Sequence, residues 1–134
     1  VAETVRFDPP VHYVVRRTAE STVIAGILLP KGLRVRLMIG AAGRDGEAWR
    51  EAGADGDDPE SFAPGRRQPA SLAFGRGPHH CLGMRLAQLE AVAAVSGVLG
   101  RYPRMRLAGR GAVWRPSVRA RDLAHLMIVS GDRM

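Results

Sequence analysis

The sequence predicts an α+β fold, on three observations. Leu82, Leu86, Leu89, Ala93, Ser96 and Leu99 recur at three- and four-residue steps, the spacing of one helix face. Val11 to Arg17, Thr22 to Leu28 and Leu33 to Ala42 are apolar, partly β-branched runs bounded by turn formers, which reads as short strands. The composition is globular, with 46% hydrophobic and 25% charged residues in 134, the size of one ordinary domain.

Val1 to Phe7 reads as the last turns of a helix, stopped by Asp8-Pro9-Pro10 because proline cannot continue one and restricts the residue before it. Glu3 and Arg6 are three apart and share a face of that helix. Taken alone the pair is weak evidence, since exposed ion pairs at this spacing contribute roughly a few tenths of a kcal/mol. The runs 11–17 and 22–28, the second around Gly26, are followed by a Pro30-Lys31-Gly32 turn. Leu33 to Ala42 then gives a further strand before a short helix or loop, and together these make a small antiparallel sheet.

From Ala41 to Gln68 the chain is rich in Gly, Asp, Glu, Pro and Arg without a period, so a meandering loop is expected, exposed and mobile around Arg50 to Asp57. The helix after Cys81 should stop at Gly100 and Pro103. Arg104 to Leu107 is a short strand, Trp114-Arg115-Pro116 a turn, and Val118 to Ala120 with Leu126 to Val129 a closing hairpin, with Trp114 as a core filler.

Cys81 is the single cysteine, at the end of a loop with glycines at 75, 77 and 83 and at the start of the helix. Glycine frees the backbone for positive φ and for close approach to something flat or bulky. The unpaired N–H groups and positive dipole end of the helix favour thiolate, which is a nucleophile or a metal ligand. A lone cysteine is more often an inert buried residue. The triplet His79-His80-Cys81 suggests zinc only poorly, because adjacent residues do not converge on one tetrahedral ion and no second Cys/His pair sits at ligand spacing.

One cysteine excludes an internal disulfide framework and points to a reducing, cytoplasmic setting. No apolar run approaches a membrane span, and no charged start precedes a signal core. The net charge of +7 comes from arginines spread along the chain plus Lys31. Nucleic-acid binding is the competing reading, but 5% aromatic content supplies no stacking platform, so a basic face for an acidic protein fits better.

The Phe-x-x-Gly-x-His-x-Cys-x-Gly pattern, with Phe74, Gly75, Gly77, His79, Cys81, Gly83, Leu86 and Ala87 matching, closely resembles the cysteine-ligand loop of the cytochrome P450 family, bacterial soluble type. ETVRFDPPV resembles that family's Glu-x-x-Arg helix and the Pro-Pro-Val segment after it. AAGRD resembles its Asn-Arg-Asp-Pro stretch, and Asp58-Pro59-Glu60-Ser61-Phe62 its Pro-x-Arg-Phe element. Residues 1–134 would then be the C-terminal portion of a single, mainly helical P450 domain, and a start without methionine in mid-helix predicts more chain upstream of Val1.

The resemblance implies haem b, with Cys81 as axial ligand of the iron, Phe74 covering the proximal side, and His79 and Arg16 on haem propionates, Arg17 competing with Arg16. Gly75, Gly77 and Gly83 would leave room for the cofactor, and Glu3 with Arg6 would be a structural lock behind it, not a catalytic pair. Ser61 stands where an arginine would complete that lock, unless Arg66 or Arg67 reaches back. Val11 and His12 would approach a small apolar organic substrate or simply pack. Arg76 and Arg85 would face an acidic electron donor, a ferredoxin or flavodoxin-like domain. The implied activity is monooxygenation. The family's oxygen-activating threonine and acid lie on an upstream helix that this segment lacks, so no catalytic residue is assigned here and the chain alone is expected to show little or no hydroxylase activity. Against this stand a catalytically inactive haem-binding remnant and a basic nucleic-acid or partner-binding module.

Overall fold

The computed structural model describes residues 1–54, 58–66 and 71–131. Helix α1, Ala2–Phe7, ends at Asp8, whose N–H donates to Thr4 O at 2.9 Å just before the proline pair. Strand β1, Tyr13–Arg17, pairs antiparallel with β4, Arg34–Met38, from Tyr13↔Met38 to Arg17↔Arg34. Between them β2, Thr22–Ile24, and β3, Ile27–Leu29, form their own hairpin. The 22–28 run is therefore not one strand. It reverses at Ala25 and Gly26, with φ of 48° and 78°, the left-handed pair that tight hairpins require. The expected sheet is thus two separate ladders, one nested inside the connection of the other.

Two short helices follow: α2, Ile39–Ala42, and α3, Gly46–Glu51. The second corrects the structureless reading of 41–68. Asp45 caps it, accepting from the N–H groups of Glu47 and Ala48 at 2.9 and 3.2 Å. The expected mobile loop thus begins inside a helix at Arg50 and Glu51, and its remainder at 55–57 lies outside the described residues.

Helix α4, Met84–Arg101, begins after Gly83 and runs past Gly100 to Tyr102, whose N–H donates to Val98 O. Strands β5, Arg106–Trp114, and β6, Leu123–Val129, make the closing hairpin, with register shifts between Leu107 and Ala112 and between Val113 and Trp114. Residues 118–120 are not part of it. Ala120 instead bridges Val11, while His12 N donates to Arg119 O and Arg121 N to Pro10 O, so this segment clips the chain between α1 and β1. Nor is Trp114 a core filler. It is 44% exposed, and the Arg121 guanidinium lies 4.1 Å from its ring centroid, an arrangement that keeps the cation at the surface. Among the described residues the buried large side chains include Ile39 and Trp49 and, unusually, the charged Glu3 and Arg6.

Candidate functional site

The cysteine loop closes on its own backbone. Cys81 N donates to Phe74 O at 2.9 Å, Gly75 N to Leu72 O and His80 N to Gly77 O. Gly75 and Gly77 sit at φ of +77° and +82°, where a side chain would be strained. Gly83 differs: its φ is −81°, and a Cβ there would meet Cys81 Sγ at an ordinary 3.9 Å. The loop therefore demands two of its three glycines, and the role expected for Gly83 in keeping room has no support in its backbone. Cys81 is exposed, and its carbonyl accepts from Met84 N as the helix begins.

The sulfur borders a cavity of about 540 Å³. Val5, Val11, Val14, Ile39 and Phe74 give it apolar walls, and small Ala87 and Ala91 open the α4 side. Besides Cys81, the polar side chains that line it are Arg16, Arg119, His79 and Gln88. Val14 and Arg16 reach it together because alternate strand residues share a face; Arg17, on the other face, donates to Gly32 O instead. Arg16 donates to Val15 O. Arg119 was not foreseen, since only the bridge of Ala120 to Val11 carries it there.

Val11 lines this cavity and His12 does not, although alternation from Val14 and Arg16 would put His12 on their face; both residues precede β1, and Val11 is held by its bridge to Ala120. His12 faces a second pocket with Phe7, Asp8, Arg44 and Glu60, its Nε2 lying 3.5 Å from Asp8 Oδ1. Arg76 and Arg85 are exposed on either side of Cys81, Arg76 lining a recess that also holds Arg6 and Trp49.

A soft sulfur, apolar walls and two arginines at one cavity suit a flat, apolar group with a soft metal and anionic edges. Among the described residues no cluster of three or more His, Cys, Asp or Glu could hold a metal ion. A metal on Cys81 would therefore have to bring most of its own ligands, as the iron of a haem does. The residues present fit that group.

Helix α1 carries the Glu3–Arg6 pair, with side chains only 4% and 2% exposed. Arg6 Nε donates to Glu3 Oε2 at 2.7 Å and Nη2 to Oε1 at 2.8 Å, a two-pronged fork. Arg6 also donates to the carbonyls of Gly43, Pro59 and Ser61. Gly43 has to be small here, since a Cβ would sit 2.5 Å from Arg6 O. Glu3 further accepts from Ala63 N and Arg66 Nη2. The hydrogen bond from Arg6 outweighs the cost of burial and holds the Glu3 carboxyl down at about 2. Arg66 does reach back to Glu3; Arg67 lies outside the described residues.

Residues 1–105 match the family model for Cytochrome P450. The chain is 37% identical over 134 residues to Cytochrome P450 107B1 of Saccharopolyspora erythraea, covering 98% of this chain and 31% of that protein. It is 39% identical over 109 residues to Cytochrome P-450 monooxygenase DoxA of Streptomyces peucetius subsp. caesius, covering 81% and 24%. The structure of CYP109E1 from Bacillus megaterium in complex with corticosterone superposes with a TM-score of 0.86 at 32% identity, covering 96% of this chain and 33% of that one. The chain thus spans about a third or less of the length of these relatives.

Proposed function

This chain belongs to the cytochrome P450 family, and we propose that it forms the C-terminal, cysteine-bearing wall of a monooxygenase domain, with Cys81 as the axial thiolate of haem b. The observation that carries the reading is the shared cavity, which gathers Cys81, His79, Arg16 and Arg119 from three separate stretches of sequence. With Cys81 holding the iron, the thiolate would supply the electron density that favours cleavage of an O–O bond.

The chain's own residues have the tasks of holding and shielding. Arg16, Arg119 and His79 would bind the propionates, the arginines offering paired N–H donors to each carboxylate. Phe74 and the backbone of the closed 74–81 loop would keep water from the sulfur, and Gly75 and Gly77 let that backbone pass close to the ring plane. Glu3 and Arg6 act as a lock behind the cofactor. Val11 gives a wall against a small apolar organic substrate. The exposed pair Arg76 and Arg85 would steer an acidic electron donor, ferredoxin or flavodoxin-like, to the sulfur side. The reading places the protein in the cytoplasm; among the described residues no helix is long and apolar enough to cross a membrane.

A second reading, haem binding without turnover, draws on a specific feature: apart from α4, no described helix exceeds six residues. A cofactor covered on one face only is open to water and to loss of reactive species. Reduced, carbon-monoxide-treated protein should show the long-wavelength Soret band of thiolate ligation, and Cys81→Ala should lose it. A haem complex with no such band would overturn the assignment of Cys81. Little or no hydroxylation by the 134-residue chain with an electron donor is expected; regioselective, donor-dependent turnover would refute the one-sided reading.

A further inference from the structure

We propose that Arg119 selects the substrate: it is the cation for a carboxylate carried on an otherwise apolar molecule, held at the Val11 end of the cavity. The inference rests on the haem reading and narrows it, since that reading sets three cations, Arg16, Arg119 and His79, against the two propionates of a haem. Two of them suffice there, and the backbone sets Arg119 apart. Ala120 bridges Val11, His12 N donates to Arg119 O at 2.7 Å and Arg121 N to Pro10 O at 2.9 Å, so residue 119 is pinned just ahead of β1. Arg16 follows Val11 by five residues, up to roughly 17 Å of extended backbone. Arg119 therefore enters the cavity beside Pro10 and Val11, the latter being the wall given to substrate, while Arg16 enters from the far end of the strand.

The charge on Arg119 is also the one left open. Arg115 and Arg121, on either side of it in the chain, are both paired, with Asp122 Oδ2 at 3.2 Å and Asp8 Oδ2 at 3.0 Å. The Arg121 guanidinium also lies 4.1 Å from the Trp114 ring centroid, so the segment that carries Arg119 is fastened from both flanks. Among the described residues no carboxylate pairs with Arg119, and no Asp or Glu lines the cavity. An anion arriving there meets no competing acid. An apolar body laid along Val5 and Val11 would shed water from around the pair, which strengthens it. The substrate class that fits is an apolar carboxylic acid in its anionic form, and a neutral molecule of the same shape forgoes the pairing.

The test titrates the 134-residue chain with decanoate and with decan-1-ol by calorimetry, before and after saturation with haem, in the parent and in Arg119→Gln, Arg119→Lys, Arg16→Gln and Cys81→Ala. The haem-loaded parent should bind decanoate roughly tenfold tighter than decan-1-ol. Arg119→Gln should level the two, Arg119→Lys should keep most of the preference, and Arg16→Gln at saturating haem should leave it intact. Equal binding of acid and alcohol by the parent, or a preference that survives Arg119→Gln, overturns the proposal. A preference lost equally in Arg16→Gln and Arg119→Gln overturns it too, because net charge and not position would then be responsible. Cys81→Ala should lose the long-wavelength Soret band and keep the preference for acid, so failure of the haem reading shows in the spectrum and failure of the substrate reading in the ratio of affinities. If no haem binds, the ratio is read on the apo chain in the Arg16→Gln background: a preference for acid that Arg119→Gln abolishes supports the proposal, and its absence overturns it.

Discussion

Glu3 and Arg6 keep 4% and 2% of their surface, whereas Leu86 and Leu89 on α4 keep 59% and 66% of theirs. The ordinary ordering of charges outside and leucines inside is inverted between these two regions. The charges can be buried because nearly every polar atom has a partner within the chain: a two-pronged fork, three carbonyls, the Ala63 N–H and Arg66. The leucines stay more than half exposed, and no residue of α4 is buried. An exposed row of this kind marks a surface for further protein mass. The lock is closed within the chain; the helix leaves an apolar row in water.

The largest effect should come from opening the lock. Arg6→Ala leaves a buried carboxylate with one remaining cation and takes a donor away from three carbonyls, a loss of about 3–5 kcal/mol. Marginal domains do not survive that, so the variant should be unfolded by circular dichroism at neutral pH. A cooperative melt within a few degrees of the parent would show that the burial of this pair is incidental.

How much of each region was legible follows from the same contrast. Helix α1, its Glu3–Arg6 face and its proline stop were readable because they are local, set by three-residue spacing and by proline geometry. The cysteine loop was readable for a similar reason, its glycines and Cys81 lying within ten residues of one another. What depends on distant pairing was not. Arg119 reaches the cavity through the bridge between Val11 and Ala120, and that same bridge, lying before β1, brings Val11 to the cavity while His12 turns to the second pocket. The hairpin at Ala25 and Gly26 hid inside one apolar run, since alanine gives no warning of a left-handed conformation. Helix α3 had a readable signal in Asp45, a favoured N-cap, obscured by the glycines around it.

Acid sharpens the comparison without a mutation. The Glu3 carboxyl is held at about 2, below its ordinary 4.5. A carboxyl lowered in the folded state stabilises at pH values above the unfolded value, and that stabilisation fades as pH falls from 4.5 toward about 2. Urea midpoints should therefore be level above pH 5 as far as this group is concerned, and fall below it. In the Glu3→Gln variant that slope should be largely gone, on a lower baseline; an equal slope would assign the acid sensitivity to other carboxylates.

Within the second region, Gly77 and Gly83 divide the cysteine loop. Gly77→Ala forces a Cβ onto a residue at φ +82° and should cost about 1–2 kcal/mol, with weaker haem uptake. Gly83→Ala meets only an ordinary contact at an unstrained φ and should change stability by less than about 0.5 kcal/mol. Thermal melts of both, with haem titration, would separate backbone strain from a general intolerance of side chains around the sulfur.

The smallest effect on stability belongs to the leucines. Leu89→Gln removes no buried contact and should shift the melt by less than about 0.5 kcal/mol. It should still lower the binding of an apolar dye and the tendency of the chain to self-associate, because the row it interrupts is apolar surface in water. A destabilisation of about 2 kcal/mol or more would mean that α4 packs against the rest of the chain in solution. The contrast between a finished lock and an open helix would then fail at its second term.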